Sequence, residues 1–116
     1  MNNKTIIRAS YREPNIIYAE KELRDKNPEQ FFDAANTNNV VIDLSLTRFI
    51  DTSSLNALLQ AKTTIAKDGY KLALVNPQAP IRTLLYLTQI YHLIPSFSQH
   101  IQAITFLQKE LQEQQS

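Results

Sequence analysis

The chain predicts an α/β fold: a mixed β-sheet of four to five strands with about four helices, in one domain spanning residues 1–116. Three observations carry that expectation. A near-continuous apolar run, Val40–Leu44, has the pattern of a strand covered on both faces or nearly so, and the apolar run in Lys71–Asn76 reads as another strand. Apolar residues elsewhere recur every three or four positions, as on a helix with one buried side. Strand and helix alternate along the chain, which implies right-handed crossovers and parallel pairing in the middle of the sheet. A length of 116 residues suits a single core, since domains typically hold about 100–150 residues.

The elements follow in order. Ile6–Ala9 and Ile16–Ala19 are short β-leaning runs separated by Pro14 and Asn15, and they read as a hairpin that adds an antiparallel part to the sheet. Pro28–Ala35 reads as a helix, with proline in its first turn and Glu29 at the positive end of its dipole. Asn36–Asn39 ends it, and the strand Val40–Leu44 follows. Asp51, Thr52, Ser53 and Ser54 are capping residues ahead of a helix in which Leu55, Leu58, Leu59, Lys62, Ile65 and Ala66 follow at helical spacing, so that one face is buried. Asp68-Gly69 closes that helix, glycine supplying the left-handed turn. After the strand Lys71–Asn76, Pro77 and Pro80 flank a turn into a helix from Ile81 to Tyr91. Ile94–Phe97 is a short edge strand, where proline is tolerated. Ile101, Ile104, Leu107 and Leu111 mark a last helix.

Composition removes several function classes. There is no cysteine, so there is neither a disulfide nor a thiol nucleophile. Only two histidines occur, His92 and His100, without the spacing of a zinc site, and no metal or cofactor is expected. A single glycine, Gly69, excludes glycine-rich phosphate loops. No serine is paired in sequence with a base, so nothing suggests an enzyme. A net charge of +1 gives no reason to expect nucleic acid as partner. The N-terminus lacks the apolar run of a signal peptide, and no stretch approaches the ~20 residues of a membrane span. The expectation is a cytoplasmic protein.

The informative stretch is Val40 to Leu59, VVIDLSLTRFIDTSSLNALL. It places a buried strand, a short loop and then hydroxyl residues at a helix N-terminus. Free amides and the helix dipole favour an anion there. A phosphate on Ser53 or Thr52 would gain those donors and be repelled by Asp51. On spacing alone, plain caps worth ~1 kcal/mol are the commoner reason for such residues. Asp43, in a buried run, needs a partner or a place at the strand end.

The same stretch resembles the centre of a STAS domain, the fold of bacterial anti-sigma-factor antagonists. The family pattern is an apolar strand ending in Asp-Leu-Ser, about seven residues, then Ile-Asp-Ser-Ser-Gly-Leu and an apolar helix. Here Ile42-Asp43-Leu44-Ser45 and Ile50-Asp51-Thr52-Ser53-Ser54-Leu55 stand in those places. Gly69–Asn76 resembles the next family strand, and Ile81–Thr88 the helix after it, which in the family ends in a Leu-Thr-Gly-like turn. Ser54 stands where glycine often follows the phosphorylated serine, Asn56 replaces the next small residue, and Lys21–Asp25 replaces a Gly-x-Leu-Asp motif.

The resemblance implies a partner-switching regulator of transcription. An anti-sigma factor that is also a serine kinase would bind the chain and phosphorylate Ser53, with Thr52 and Ser54 as alternative acceptors. A serine phosphatase would reverse the change. Asp43, Asp51, Thr52, Ser53, Ser54 and Asn56 would form the partner surface of a monomer or homodimer. A second expectation is a non-enzymatic STAS subunit of a transporter complex, docking onto an ATPase through Asp51-Thr52.

Overall fold

The computed structural model describes residues 13–115. Its centre is a four-stranded sheet in the order β1-β3-β5-β6, formed by β1 (Asn15–Tyr18), β3 (Val40–Asp43), β5 (Leu72–Val75) and β6 (Ser96–Phe97). All three pairings are parallel. A second, two-stranded parallel sheet joins β2 (Glu22–Leu23) to β4 (Phe49–Ile50). Three α-helices complete the fold: α1 (Thr52–Ala66), α2 (Ala79–Leu87) and α3 (His100–Gln115).

Most expected elements are present. The two apolar runs form the central strands β3 and β5, in which every residue but Asp43 is buried. The edge strand at Ile94–Phe97 is β6. Of the expected hairpin, Ile16–Ala19 corresponds to β1, which pairs parallel to β3. The other strand, Ile6–Ala9, lies outside the described residues. Two helices are shorter than expected. The helix over Pro28–Ala35 is a single 3-10 turn, Pro28–Phe31, because only one apolar residue, Phe31, is buried there to hold it. The helix from Ile81 ends at Leu87, and a separate 3-10 turn spans Ile90–His92. The break is at Gln89, with φ of 63°, in the left-handed region where glycine closes a helix at least cost. Thr88 Oγ1 donates to the Leu84 carbonyl at 2.8 Å and so caps the end of α2.

Residues alternate across each strand, and the two faces of the sheet are covered differently. Val40, Ile42, Leu72 and Leu74 pack against Leu58, Ala61 and Ile65 of α1 and Ile81 and Leu85 of α2. Val41, Ala73 and Val75 face Ala103 and Leu107 of α3. At the N-terminal edge of the sheet, two buried asparagines tie strands together. Asn38 Nδ2 donates to the Glu13 carbonyl at 2.7 Å, and Asn39 Oδ1 accepts from the Lys71 amide at 2.8 Å. Gly69, at φ of 86°, turns the chain out of α1 so that the Tyr70 amide donates to the Ile65 carbonyl at 3.0 Å.

Candidate functional site at the start of α1

The start of α1 is built by a loop from another part of the chain. Asp51 adopts an extended backbone, and its Oδ1 accepts the Ser54 amide at 2.8 Å, the N-cap expected of an aspartate there. Its Oδ2 accepts the Asp25 amide at 3.0 Å. Ser54 is fully buried, and its Oγ accepts the Lys26 amide at 3.0 Å. Residues 25 and 26 are thereby fastened over the first turn of α1. The small β2–β4 sheet brings them there, since the Asp51 amide donates to the Leu23 carbonyl at 3.0 Å. Asp25 takes a left-handed backbone, φ 52°, to make the approach. The Arg24 guanidinium lies 4.2 Å from the centre of the Phe49 ring and beside the same helix start.

These contacts set the charge of the site. The Ser54 amide and hydroxyl, followed by the Asp25 amide, hold the Asp51 carboxyl below its ordinary value of 3.8. Asp51 is thus an anion whose oxygens are both engaged.

The three hydroxyls of the first turn are sorted by the same geometry. Ser54 is inward and bonded. Thr52 and Ser53 are exposed, and their hydroxyls bond no other described residue. Asn56 is exposed as well, three positions after Ser53 and four after Thr52, which places the three on one helix face. Thr52, Ser53 and Asn56 therefore form an accessible patch, supported from beneath by Asp51 and Ser54.

The chain belongs to the STAS domain family. The family profile matches residues 9–104. A crystal structure of a candidate anti-sigma factor antagonist from Thermotoga maritima superposes on this STAS domain with a TM-score of 0.72, at 24% sequence identity, over 80% of this chain and 86% of that one. Comparison with curated protein sequences finds no significant match.

Asp43, the remaining residue of the expected surface, does not join this group. It ends β3 with its side chain on the α3 face, away from α1. There Oδ1 accepts the Ser45 amide at 2.8 Å, and Oδ2 accepts from His100 Nε2 at 2.5 Å. Burial disfavours the Asp43 charge, but the bonds from Ser45 and His100 outweigh it and hold the carboxyl below 3.8. The Tyr18 ring lies 5.8 Å from the His100 ring. His92 is exposed and rests on Tyr91, the rings 4.0 Å apart. Among the described residues no group of three or more histidines and carboxylates could hold a metal ion.

Sequence reasoning did not identify the loop of Arg24, Asp25 and Lys26 as part of the helix start. The one signal for it was the position of Lys21–Asp25 in the family pattern. The pairing of His100 with Asp43 carried no signal, because 57 positions separate them.

Proposed function

We propose that this STAS domain is an anti-sigma-factor-antagonist-like switch, a non-enzymatic binding module whose affinity for a serine-kinase anti-sigma factor is set by phosphorylation of Ser53. The observation that supports this most is the sorting of hydroxyls in the first turn of α1. Ser54 is consumed by the fold, while Ser53 is presented on a rigid helix end with a free Oγ.

In the proposed reaction Ser53 Oγ attacks the γ-phosphorus of ATP held by the kinase. ADP departs, and the serine proton passes to a base of the kinase. The product carries about −1.5 to −2 charges at a surface that already holds ionised Asp51. The Thr52 and Ser53 amides, at the positive end of the α1 dipole, offset part of that repulsion within the chain. A docked partner experiences the new charge without that compensation, so it releases. A serine phosphatase restores the binding form. Asp51, Thr52, Ser53 and Asn56 make the contact surface and Ser54 supports it, while Asp43, held by Ser45 and His100 on the α3 face, takes no part in it.

The test is incubation with a serine-kinase anti-sigma factor and ATP, followed by mass spectrometry and binding measurements. Phosphate is expected on Ser53, and Ser53→Glu should weaken the complex at least about tenfold, or ~1.4 kcal/mol. Phosphate on neither Ser53 nor Thr52 would overturn the switch. The exposure of Thr52 beside Asp51 also suits the second reading, docking onto a transporter ATPase. That reading expects stable co-purification with the ATPase, unchanged by Ser53→Ala and lost with Thr52→Arg.

A further inference from the structure

Beside the start of α1 stands a cation that the fold holds only loosely. The Asp51 amide donates to the Leu23 carbonyl, and the Asp51 carboxylate accepts the Asp25 amide, both at 3.0 Å. Arg24 lies between those two bonds. Its backbone is therefore opposite Asp51, about 5 Å away across the strand pair, and Ser53 is two positions further along the chain. The Arg24 charge is felt at the helix start: after the bonds from Ser54 and Asp25, it is a further cause that holds the Asp51 carboxyl low.

Two weak contacts park the guanidinium. Its Nε donates to Glu22 Oε1 at 3.0 Å, with both side chains 57% exposed. Its central carbon lies 4.2 Å from the centre of the Phe49 ring. Exposed ion pairs and exposed cation–ring contacts each hold weakly in water. The two Nη groups bond no other described residue. Lys26, the other cation of this loop, is placed differently: its Nζ is paired with Glu20, and its side chain is only 16% exposed. Arg24 is free to swing and Lys26 is not.

A phosphate brings about −1.5 to −2 charges and three acceptor oxygens. A guanidinium meets it with two parallel N–H donors, a stronger pairing than the single bond that Arg24 now gives Glu22. We infer that phosphate on Ser53 draws Arg24 off Glu22 and the Phe49 ring and is held by its guanidinium, so that one modification adds charge and also uncovers an aromatic side chain. The inference rests on Ser53 being the phosphate acceptor. Arg24 is then a positioning residue of the modified state. A docked partner meets a surface changed in shape as well as in charge.

The experiment uses the full chain with phosphoserine installed at position 53 during synthesis, so no kinase is involved. The second protonation of the phosphate is followed by ³¹P NMR. The phosphate of the parent should bind that proton about threefold more weakly than that of Arg24→Gln. Arg48→Gln removes an equal charge from the neighbouring strand and should change it less than about 1.5-fold. The Arg24 Nε–Hε signal should also move between the unmodified and the phosphorylated chain, as the guanidinium leaves the Phe49 ring. Equal proton affinity in parent and Arg24→Gln, equal effects of Arg24→Gln and Arg48→Gln, or an unmoved Nε–Hε signal would each overturn the inference. Those results would leave the proposed switch standing. Failure of a kinase to modify Ser53 would remove the switch, whatever the installed phosphate does.

Discussion

The two faces of the central sheet are held by different means. On the first, α1 and α2 together bury Leu55, Leu58, Ala61, Ile65, Ile81 and Leu85 against β3 and β5. On the second, α3 stands alone, with Ala103 and Leu107 as its buried residues among those described and a polar pin, His100 to Asp43, at its start. Each face has a helix that begins at an aspartate near the C-terminal edge of a strand. Asp51 caps α1 through backbone amides and binds a loop onto it. Asp43 reaches α3 through one imidazole. The comparison bears on the switch proposed for the α1 end. A helix anchored by its whole length can accept a new charge at Ser53 without moving, so the charge is read by the partner and not spent on unfolding.

The largest expected effects come from the packing itself. Leu58→Ala should destabilise the protein by about 3–4 kcal/mol, because Leu58 is enclosed by two helices and the sheet and its neighbours cannot collapse into the space. Leu107→Ala should cost about 2 kcal/mol, the lower end of the same range, because the thinner α3 layer can settle onto the sheet. Urea denaturation of the two variants measures the contrast. Equal losses would mean that the faces are equally well held.

The next contrast lies within one turn of α1. Ser54→Ala removes the acceptor of the half-buried Lys26 amide bond and should cost about 1–2 kcal/mol. Ser53→Ala, with no bond to lose, should stay within about 0.5 kcal/mol of the parent. Measured by thermal or urea unfolding, the pair separates the serine that holds the fold from the one proposed as the phosphate acceptor. A larger loss at Ser53 than at Ser54 would reverse their roles.

What was legible in the sequence follows the same division. β3, β5 and the two ends of α1 were readable, because continuous apolar runs, an aspartate cap and the one glycine are local signals. The overextended helices are also local in origin. Pro28–Ala35 has the composition of a helix but too little to bury, and Gln89 takes a backbone conformation that glutamine seldom signals. The β2–β4 sheet was not legible, since two residues per strand are too few to show alternation. Nor was the loop over α1, which bonds through main-chain amides of Asp25 and Lys26 that any side chains could accompany. Asp51, Thr52, Ser53 and Ser54 were legible as the residues of a helix start. Which serine is free depended on those amides.

The smallest effect tests the polar pin. Asp43 is held below 3.8 in the folded chain, so its charged form adds stability at neutral pH. That contribution is complete above the ordinary value of 3.8 and is lost as pH falls through the lower folded value. Asp43→Asn keeps an acceptor for the Ser45 amide but removes the charge facing His100. It should cost about 1 kcal/mol near neutral pH. Measured by urea unfolding from about pH 6 to about pH 2, the gap between parent and variant should hold steady at first and close only below the ordinary carboxylate value. Amide exchange should quicken in the first turn of α3 and stay unchanged in α1, because Asp43 touches only the second face. A gap that is independent of pH, or faster exchange in α1, would show that the two faces are coupled through the sheet, and that the independence drawn between them is wrong.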